Sequence, residues 1–387
     1  MKRILSFILI IILISTGCGN LTKDAGKIIQ RGGENNKVIK DKITTYTDDF
    51  AKQQNFSGVI LVAKENDILF EKGYGMANYE ENQPNNPKTS FRIASITKQI
   101  TAMCIIILRD MGKISLSDKV NKYIPGFPNG DKITIENLIT HSSGITEDLY
   151  GSSTIEVMMR HNTPIQLVNM IEKKNTNPIP NVKFQYCNSN YILLGYIIER
   201  VSGMKYENFI NRYIFKPLDM KDSRYDTNKI VSENEAVGYL NYNQGFIDVP
   251  NYDMSAPYAA GAVRSTVHDL LKWDRALYTE KLVKKSSIED IFKPRVEEGN
   301  NLYYGYGWNI ETENIGDNKY NLFWHYGNIP GFNTFILHDN DEESVVIILS
   351  NRDSGLMQGN NPIAVGINKA AHDISVLIRE QDKLNSK

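Results

Sequence analysis

A serine and a lysine three residues apart could form a nucleophile with its own base. Ser95 and Lys98 stand at the start of a stretch that reaches about Gly112, in which apolar residues recur close to a helical period. Residues three apart lie on the same face of a helix, so the hydroxyl and the amine would be within reach of each other. In a first helical turn, unpaired N–H groups favour an oxyanion, and a desolvated lysine can act as a base. The pair indicates an activated serine nucleophile.

The S-x-x-K pattern is weak by itself. A serine at a helix start is usually a cap, and a lysine is usually solvated. The chain contains a second copy, Ser202 to Lys205, at another predicted helix start. The choice between the two copies therefore depends on the rest of the chain.

The sequence lacks the common motifs of other hydrolytic and cofactor-dependent sites. It has no G-x-S-x-G, no H-E-x-x-H and no paired Cys–His spacing, which makes a hydrolase elbow or a zinc site unsupported. It has no P-loop and no G-x-G-x-x-G between a strand and a helix. We therefore expect neither a metal nor a cofactor.

Two further segments could complete a serine site. Tyr186-Cys187-Asn188 precedes a strongly apolar helix, and its phenol could exchange protons with the serine and the lysine. A buried aromatic with a satisfied hydroxyl is the alternative, since Y-x-N occurs three more times, at Tyr206, Tyr239 and Tyr326. His325-Tyr326-Gly327 is the only H-x-G and ends a predicted strand, whose backbone could bind a substrate; the alternative is a strand running into a turn.

The order of the predicted elements indicates an α/β (α+β) fold. With 387 residues, 41% of them hydrophobic, the chain is long enough for two domains. Strands are predicted near both ends, with helices between them and a final helix at about 362–379. We expect an antiparallel sheet built from both termini, flanked by helices, over residues 37–92 and 260–387. A mostly helical domain would be inserted at 93–259. The net charge is −1 without a basic block, which argues against nucleic acid as a partner.

The N-terminus has the pattern of a signal peptide. Lys2 and Arg3 precede an apolar run at 4–14 that ends at Ser15-Thr16-Gly17-Cys18. This resembles a bacterial lipoprotein signal, in which the cysteine becomes the lipidated N-terminus, although Ser15 replaces the usual aliphatic residue. An ordinary secretory signal is the alternative. The pattern predicts a signal over 1–18, and the polar composition that follows predicts a tether over 19–36. The resemblance implies a lipoprotein on the outer face of the bacterial cell membrane.

The three motifs in this order resemble the penicillin-recognising serine hydrolases. With Y-x-N in the middle, the chain is similar to the branch of class C β-lactamases, D-alanyl-D-alanine carboxypeptidases, D-aminopeptidases and related esterases. The resemblance covers about Lys37 to Arg379. Flanking segments that fit it are Leu138–Gly144, Ile214–Met220, Gly261–Thr266 and Pro330–Phe332.

The resemblance implies a role for each residue of the first two motifs. Ser95 would form an acyl-enzyme, and Lys98 and Tyr186 would move protons. Asn188 would hold the substrate amide and steady Lys98. Ser202 is then an ordinary residue.

The third motif would bind the substrate. The N–H groups of Ser95 and Asn328 would form the oxyanion hole, beside Gly327 on the strand. His325 would face the substrate carboxylate or Tyr186. Class C β-lactamases carry lysine at this position, and a histidine is mostly neutral at pH 7.5 unless it is perturbed, so recognition of a free carboxylate would be weaker or pH-dependent.

We therefore expect a serine hydrolase that acts on D-amino-acid-containing peptides or esters of the cell envelope. A class C-like β-lactamase is the enzymatic alternative. A penicillin-binding sensor that acylates once, or a pseudo-enzyme, is the alternative of another class. The partners implied are a small-molecule or peptide substrate carrying a D-amino acid, an ester or a β-lactam, and the membrane through a lipid anchor.

Overall fold

The computed structural model describes residues 37–146, 149, 155–175, 177–181, 183–242, 245–249, 252–315, 318–355 and 361–385. The predicted signal, tether and Cys18 lie outside these residues. The strands are β1 (Gly58–Lys64), β2 (Asp67–Tyr74), β3 (Met76–Asn78), β4 (Gln83–Pro84), β5 (Phe91–Arg92), β6 (Arg224–Tyr225), β7 (Tyr239–Tyr242), β8 (Gly245–Asp248), β9 (Val263–Ser265), β10 (Val296–Gly299), β11 (Leu302–Tyr304), β12 (Asn309–Ile315), β13 (Asn318–Ile329), β14 (Phe332–Asp339), β15 (Ser344–Ser350) and β16 (Arg352–Asp353).

Most of the described helices lie between the strands of the two ends of the chain, and a long helix follows the last strand, as predicted. The helices are α1 (residues 37–53), α2 (Thr97–Asp110), α3 (Ile135–Ile139), α4 (Ile155–Met158), α5 (Pro164–Lys174), α6 (Asn188–Ser202), α7 (Tyr206–Ile210), α8 (Tyr258–Gly261), α9 (Val267–Ala276), α10 (Lys285–Ile291) and α11 (Pro362–Asn385). Two 3-10 turns, Ala94–Ile96 and Val120–Lys122, and a π-helical turn, Asn211–Phe215, complete the helical elements described.

One antiparallel sheet joins the two ends of the chain. Its eight strands lie in the order β10-β11-β12-β13-β14-β15-β1-β2. The N-terminal hairpin enters this sheet through β1, which pairs with β15 from Gly58↔Ser350 to Lys64↔Ser344. The prediction of an antiparallel sheet built from both termini and flanked by helices is confirmed. The proposed domain boundaries stay a prediction.

The central strands are apolar on both faces because helices cover both faces. Along β1, Val59 and Leu61 join the core that contains α2, α6 and α9, whereas Ile60 and Val62 join the core that contains α1 and α11. A strand buried on both sides needs a continuous apolar run, which the sequence of β1 supplies. The sheet is therefore the middle of three layers.

A glycine in α6 lets α8 approach this helix closely. A Cβ on Gly195 in α6 would lie 2.4 Å from the Ala259 Cβ and 2.5 Å from the Tyr258 ring. Without a side chain at this position, α8 can pack directly on α6. This packing brings the backbone of Ala260 toward Lys98.

The helix starts differ from the sequence-based expectation at two serines. Helix α2 begins at Thr97, so Ser95 lies in the 3-10 turn before it and not in its first turn. Ser202 ends α6 and does not begin a helix. At Ser95, contacts from elsewhere in the chain decide the local geometry. At Ser202, the glycine C-cap at Gly203 ends the helix.

The strands near the third motif are also longer or more divided than predicted. An alternating pattern over 304–311 predicts one strand, but the structure divides this segment between β11 and β12. Strand β10 lies outside the predicted strands. His325 to Gly327 lie inside β13, which continues to Ile329. Glycine and asparagine disfavour strands locally, but pairing with β14 as far as Ile329↔Phe332 keeps this segment extended.

Candidate active site

Ser95 is presented by a strained turn that contacts from two strands hold in place. Ala94 has φ +48°, in the left-handed region that non-glycine residues rarely adopt. The Ile93 N–H donates to the Val263 carbonyl at 2.9 Å, and the Thr334 hydroxyl donates to the Ile93 carbonyl at 2.9 Å. Such a conformation costs about 1–3 kcal/mol and persists where surrounding contacts over-determine it.

The Lys98 amine reaches the serine from the first turn of α2. Nζ donates to Ser95 Oγ at 2.9 Å, to Asn188 Oδ1 at 2.7 Å and to the Ala260 carbonyl at 2.9 Å. The side chain is fully buried, and Nζ lies 4.8 Å from the centroid of the Tyr186 ring. These three hydrogen bonds therefore hold the amine against the serine oxygen.

The Tyr186 hydroxyl approaches the same oxygen from another segment. It donates to Ser95 Oγ at 2.8 Å, although 91 residues separate the two along the chain. A proton-transfer group must lie within about 2.6–3.2 Å of the atom that it serves. Lys98 and Tyr186 both meet this requirement at Ser95, so the geometry supports proton exchange at this oxygen.

Asn188 is the first residue of α6 and lies against Lys98. Its amide oxygen accepts from the amine, which agrees with the supporting part of its expected role. The other part of that role, binding a substrate amide, stays a prediction.

Strand β13 passes directly beside the nucleophile turn at Gly327. A Cβ at this position would lie 2.3 Å from Thr334 Oγ1, 2.4 Å from the Ile93 carbonyl oxygen and 3.2 Å from the Ala94 Cβ. The strand can therefore touch the turn only where there is no side chain. The next residue, Asn328, donates from its side chain to Asn333 Oδ1 at 3.0 Å. An oxyanion hole formed by the N–H groups of Ser95 and Asn328 stays a prediction.

His325 is buried, with 2% of its surface exposed. Its Nδ1 lies 2.7 Å from the Tyr326 carbonyl, to which only a protonated nitrogen can donate, so Nε2 accepts from the Tyr304 hydroxyl at 3.1 Å. Burial and the nearby Lys98 charge lower the pKa of His325 to about 3. The ring is therefore neutral near pH 7, which favours weaker carboxylate recognition over pH-dependent recognition.

Because of this low pKa, we predict that His325 does not contribute to the pH dependence of activity near neutral pH. Above about pH 4 the ring is already neutral, so raising the pH from about 5 to about 8 does not change its charge. We expect the kcat/KM values of His325→Gln to differ from those of the wild type, but the pH profile of kcat/KM to keep the wild-type shape over this range. His268→Gln, at a partly exposed histidine that pairs with Glu71, is the matched control. An inflection near pH 6 to 7 that disappears in His325→Gln would contradict the prediction.

Sequence reasoning missed two groups that support the site. The Ala260 carbonyl binds Lys98, but a backbone atom gives no signal in the sequence. His141 lies under Tyr186, with its ring centroid 4.5 Å from that of the tyrosine. The sequence analysis included His141 only within the flanking segment Leu138–Gly144 and predicted no role for it. Among the described residues, no group of three or more His, Cys, Asp or Glu side chains could hold a metal ion.

Comparisons with known proteins agree with this site and fold. The Beta-lactamase family model matches residues 39–366. Putative penicillin-binding protein PbpX of Bacillus subtilis is 34% identical over 319 residues, which are 81% of this chain and 76% of that protein.

Two solved structures have the same fold. A penicillin-binding protein from Bacillus halodurans aligns with a TM-score of 0.74 and 25% identity, over 86% of this chain and 98% of that one. The D-amino acid amidase from Ochrobactrum anthropi SV3 aligns with a TM-score of 0.76 and 23% identity, over 90% of this chain and 99% of that one. The fold is that of the serine β-lactamases and penicillin-binding proteins, and the chain belongs to the Beta-lactamase family.

Proposed function

We propose that this protein is a serine hydrolase that forms an acyl-enzyme at Ser95. The observation that carries the proposal is the convergence of Lys98 Nζ, at 2.9 Å, and the Tyr186 hydroxyl, at 2.8 Å, on Ser95 Oγ. A serine hydroxyl is a poor nucleophile until a neighbouring group accepts its proton. Two groups that can exchange protons with one half-buried serine oxygen are difficult to explain as a purely structural arrangement.

The reaction would follow the order of contacts in the site. Ser95 Oγ attacks the substrate carbonyl carbon while its proton passes to the Lys98–Tyr186 pair. The oxyanion would form between the N–H groups of Ser95 and Asn328. The same pair returns the proton to the leaving amine or alcohol, which departs as the acyl-enzyme forms. Water then attacks the acyl carbon and gives up a proton to the pair. The bond between the acyl carbon and Ser95 Oγ breaks, the pair returns a proton to Oγ, and the acid leaves.

The substrates that we propose are amides, peptides and esters of D-amino acids in the cell envelope. The amidase with the same fold is named for D-amino acids, which supports this choice by analogy. A neutral, buried His325 gives no positive charge for a free carboxylate beside the scissile bond. A β-lactam carries such a carboxylate, so β-lactamase activity is the second choice.

A substrate panel tests the proposal. D-phenylalanine amide, L-phenylalanine amide, a D-alanyl-D-alanine peptide, a p-nitrophenyl ester and nitrocefin would be compared on one preparation. We expect kcat/KM for the D-amide to exceed that for the L-amide, and both the ester and the D-amide to exceed nitrocefin. If nitrocefin were the substrate that is hydrolysed fastest, the proposed substrate class would be wrong and the protein would be a β-lactamase.

Labelling of the serine separates an enzyme from a sensor. A fluorescent phosphonate and a fluorescent penicillin would be used, and the decay of each adduct on Ser95 would be followed. We expect the phosphonate to react and the penicillin adduct to decay. A penicillin adduct that never decays, without turnover of any substrate, would favour a sensor, and no adduct with either probe would favour a pseudo-enzyme.

We also propose that Cys18 carries a lipid that tethers the protein to the outer face of a bacterial cell membrane. The support is the charged, apolar and small-residue order of residues 2–18. Within the described ranges, no helix is both long and apolar enough to cross a membrane.

Metabolic labelling with an alkyne fatty acid tests the anchor. We expect label and membrane association in the wild type and neither in Cys18→Ser. Cys104→Ala, at a buried cysteine of α2, is the control and should keep both. Membrane association that survives Cys18→Ser without label would contradict the anchor.

A further inference from the structure

Tyr186 is the one proton-transfer residue of the proposed site that no regular element holds. Residues 183–187 belong neither to a helix nor to a strand. A hydroxyl that must stay 2.8 Å from Ser95 therefore needs other contacts to fix its main chain.

His141 supplies such contacts on both sides of the tyrosine. Its carbonyl accepts from the Gln185 N–H at 2.8 Å, and its Nδ1 accepts from the Cys187 N–H at 3.2 Å. Its ring packs against the Tyr186 ring with an interplanar angle of 36°. One histidine thus contacts the residue before the tyrosine, the residue after it and the tyrosine ring.

The hydrogen bonds also fix the protonation state of His141. A backbone N–H can only donate, so Nδ1 must be unprotonated. The Asn190 side chain lies 3.1 Å from Nδ1, and its oxygen already accepts from the Ser143 hydroxyl at 2.6 Å, so its amide nitrogen faces the ring. Burial, Lys98 and His325 lower the pKa of His141 well below its usual value. The ring is therefore neutral, with its proton on Nε2.

The backbone of His141 is itself unusual. Its φ is +56°, in the left-handed region, and the side chain has no exposed surface. Asparagine adopts this conformation more readily than most residues and carries an oxygen that can accept a hydrogen bond. Phenylalanine keeps a flat ring but has no acceptor.

We propose that His141 is a positioning residue: it holds the Tyr186 hydroxyl on Ser95 by fixing the chain on both sides of the tyrosine, and it touches no substrate. This rests on the proposed function, because it requires Tyr186 to exchange protons at Ser95.

A double-mutant cycle with Tyr186→Phe tests this role, with kcat and KM measured on a p-nitrophenyl ester. We expect His141→Phe to lower kcat about 30-fold with KM within about 2-fold, because only the proton-transfer group is misplaced. In the Tyr186→Phe background the same change should cost less than about 3-fold, because the group that it positions is gone. His268→Phe, at a partly exposed histidine on α9, is the matched control and should leave kcat unchanged.

An equal loss in both backgrounds, or no loss in the wild type, would overturn the proposal. A merely structural role lowers kcat in both backgrounds alike, so the cycle separates the two. If His141→Phe does not fold, His141→Asn carries the same cycle, with a loss of about 5-fold expected only where Tyr186 is present.

A crystal structure of the His141 variant gives a second readout that needs no activity. We expect the distance between the Tyr186 hydroxyl and Ser95 Oγ, 2.8 Å here, to lengthen beyond hydrogen-bond range. An unchanged distance would overturn the positioning role. If the wild type neither turns over a substrate nor labels at Ser95, the proposed function fails, and this distance still decides whether His141 holds Tyr186.

Discussion

Ser95→Ala should abolish turnover of esters and amides while the protein stays folded. The change removes the oxygen on which Lys98 and Tyr186 converge. We expect a loss of at least about 10³-fold in kcat, because removing the nucleophile of such a unit removes most of its catalysis. Lys98 keeps Asn188 and the Ala260 carbonyl, so the free energy of unfolding should change by less than about 2 kcal/mol.

Ser202→Ala is the matched control for this variant. Ser202 is the serine of the second S-x-x-K and lies at the end of α6. Its hydroxyl accepts from the Met204 N–H at 3.1 Å and donates to the Met204 carbonyl at 3.5 Å, so its partners are local backbone groups. We expect its kcat to equal that of the wild type. The measurement is the initial rate on a p-nitrophenyl ester together with a thermal unfolding curve. Wild-type rates in Ser95→Ala, or a large loss in Ser202→Ala, would show that the nucleophile lies elsewhere.

Gly327→Ala should damage both the site and the fold. The new methyl group would meet the Ile93 carbonyl at 2.4 Å and Thr334 Oγ1 at 2.3 Å, and real carbon–oxygen contacts are not this short. The carbonyl belongs to the backbone just before the nucleophile turn, so β13 and the turn must separate. A shift of about 1 Å can cost about 100-fold in rate, and overpacking of this kind costs about 1–3 kcal/mol.

Gly366→Ala is the matched control for the same chemical change. Gly366 lies inside α11, and the nearest atom to its added Cβ is Gln54 Oε1 at 3.5 Å, an ordinary contact. Alanine is a better helix former than glycine by about 1 kcal/mol, so this variant should be slightly more stable and fully active. Kinetics and denaturant unfolding of both variants check the pair. An active and stable Gly327→Ala would mean that β13 does not press on the nucleophile turn.

The two variants examine different parts of the same proposal. Ser95→Ala tests the chemistry at one oxygen, with the surrounding contacts kept. Gly327→Ala tests whether the packing of a strand against the nucleophile turn is what keeps that oxygen in place. The contacts predict that both variants lose activity and that only Gly327→Ala also loses stability.

Local patterns in the sequence were sufficient for the fold class. The continuous apolar run of β1 and the helical period from Ile96 to Met111 are short-range features, and burial follows them directly. The spacing of Ser95 and Lys98 is equally local. These features could be interpreted without coordinates because each element carries its own hydrophobic pattern. The signal and the lipid at Cys18 rest on such a pattern as well, and they stay predictions.

Only the tertiary structure decided the features that depend on distant contacts. Ser95 lies in a 3-10 turn because β9 and β14 hold Ile93, which no helical period reveals. His325 is neutral because strands and aromatic rings bury it. His141 supports Tyr186 from 45 residues away (186 − 141), through its backbone carbonyl and one ring nitrogen. Sequence patterns report which face of an element is apolar, whereas these features depend on which elements meet, and that is fixed only when the whole chain packs.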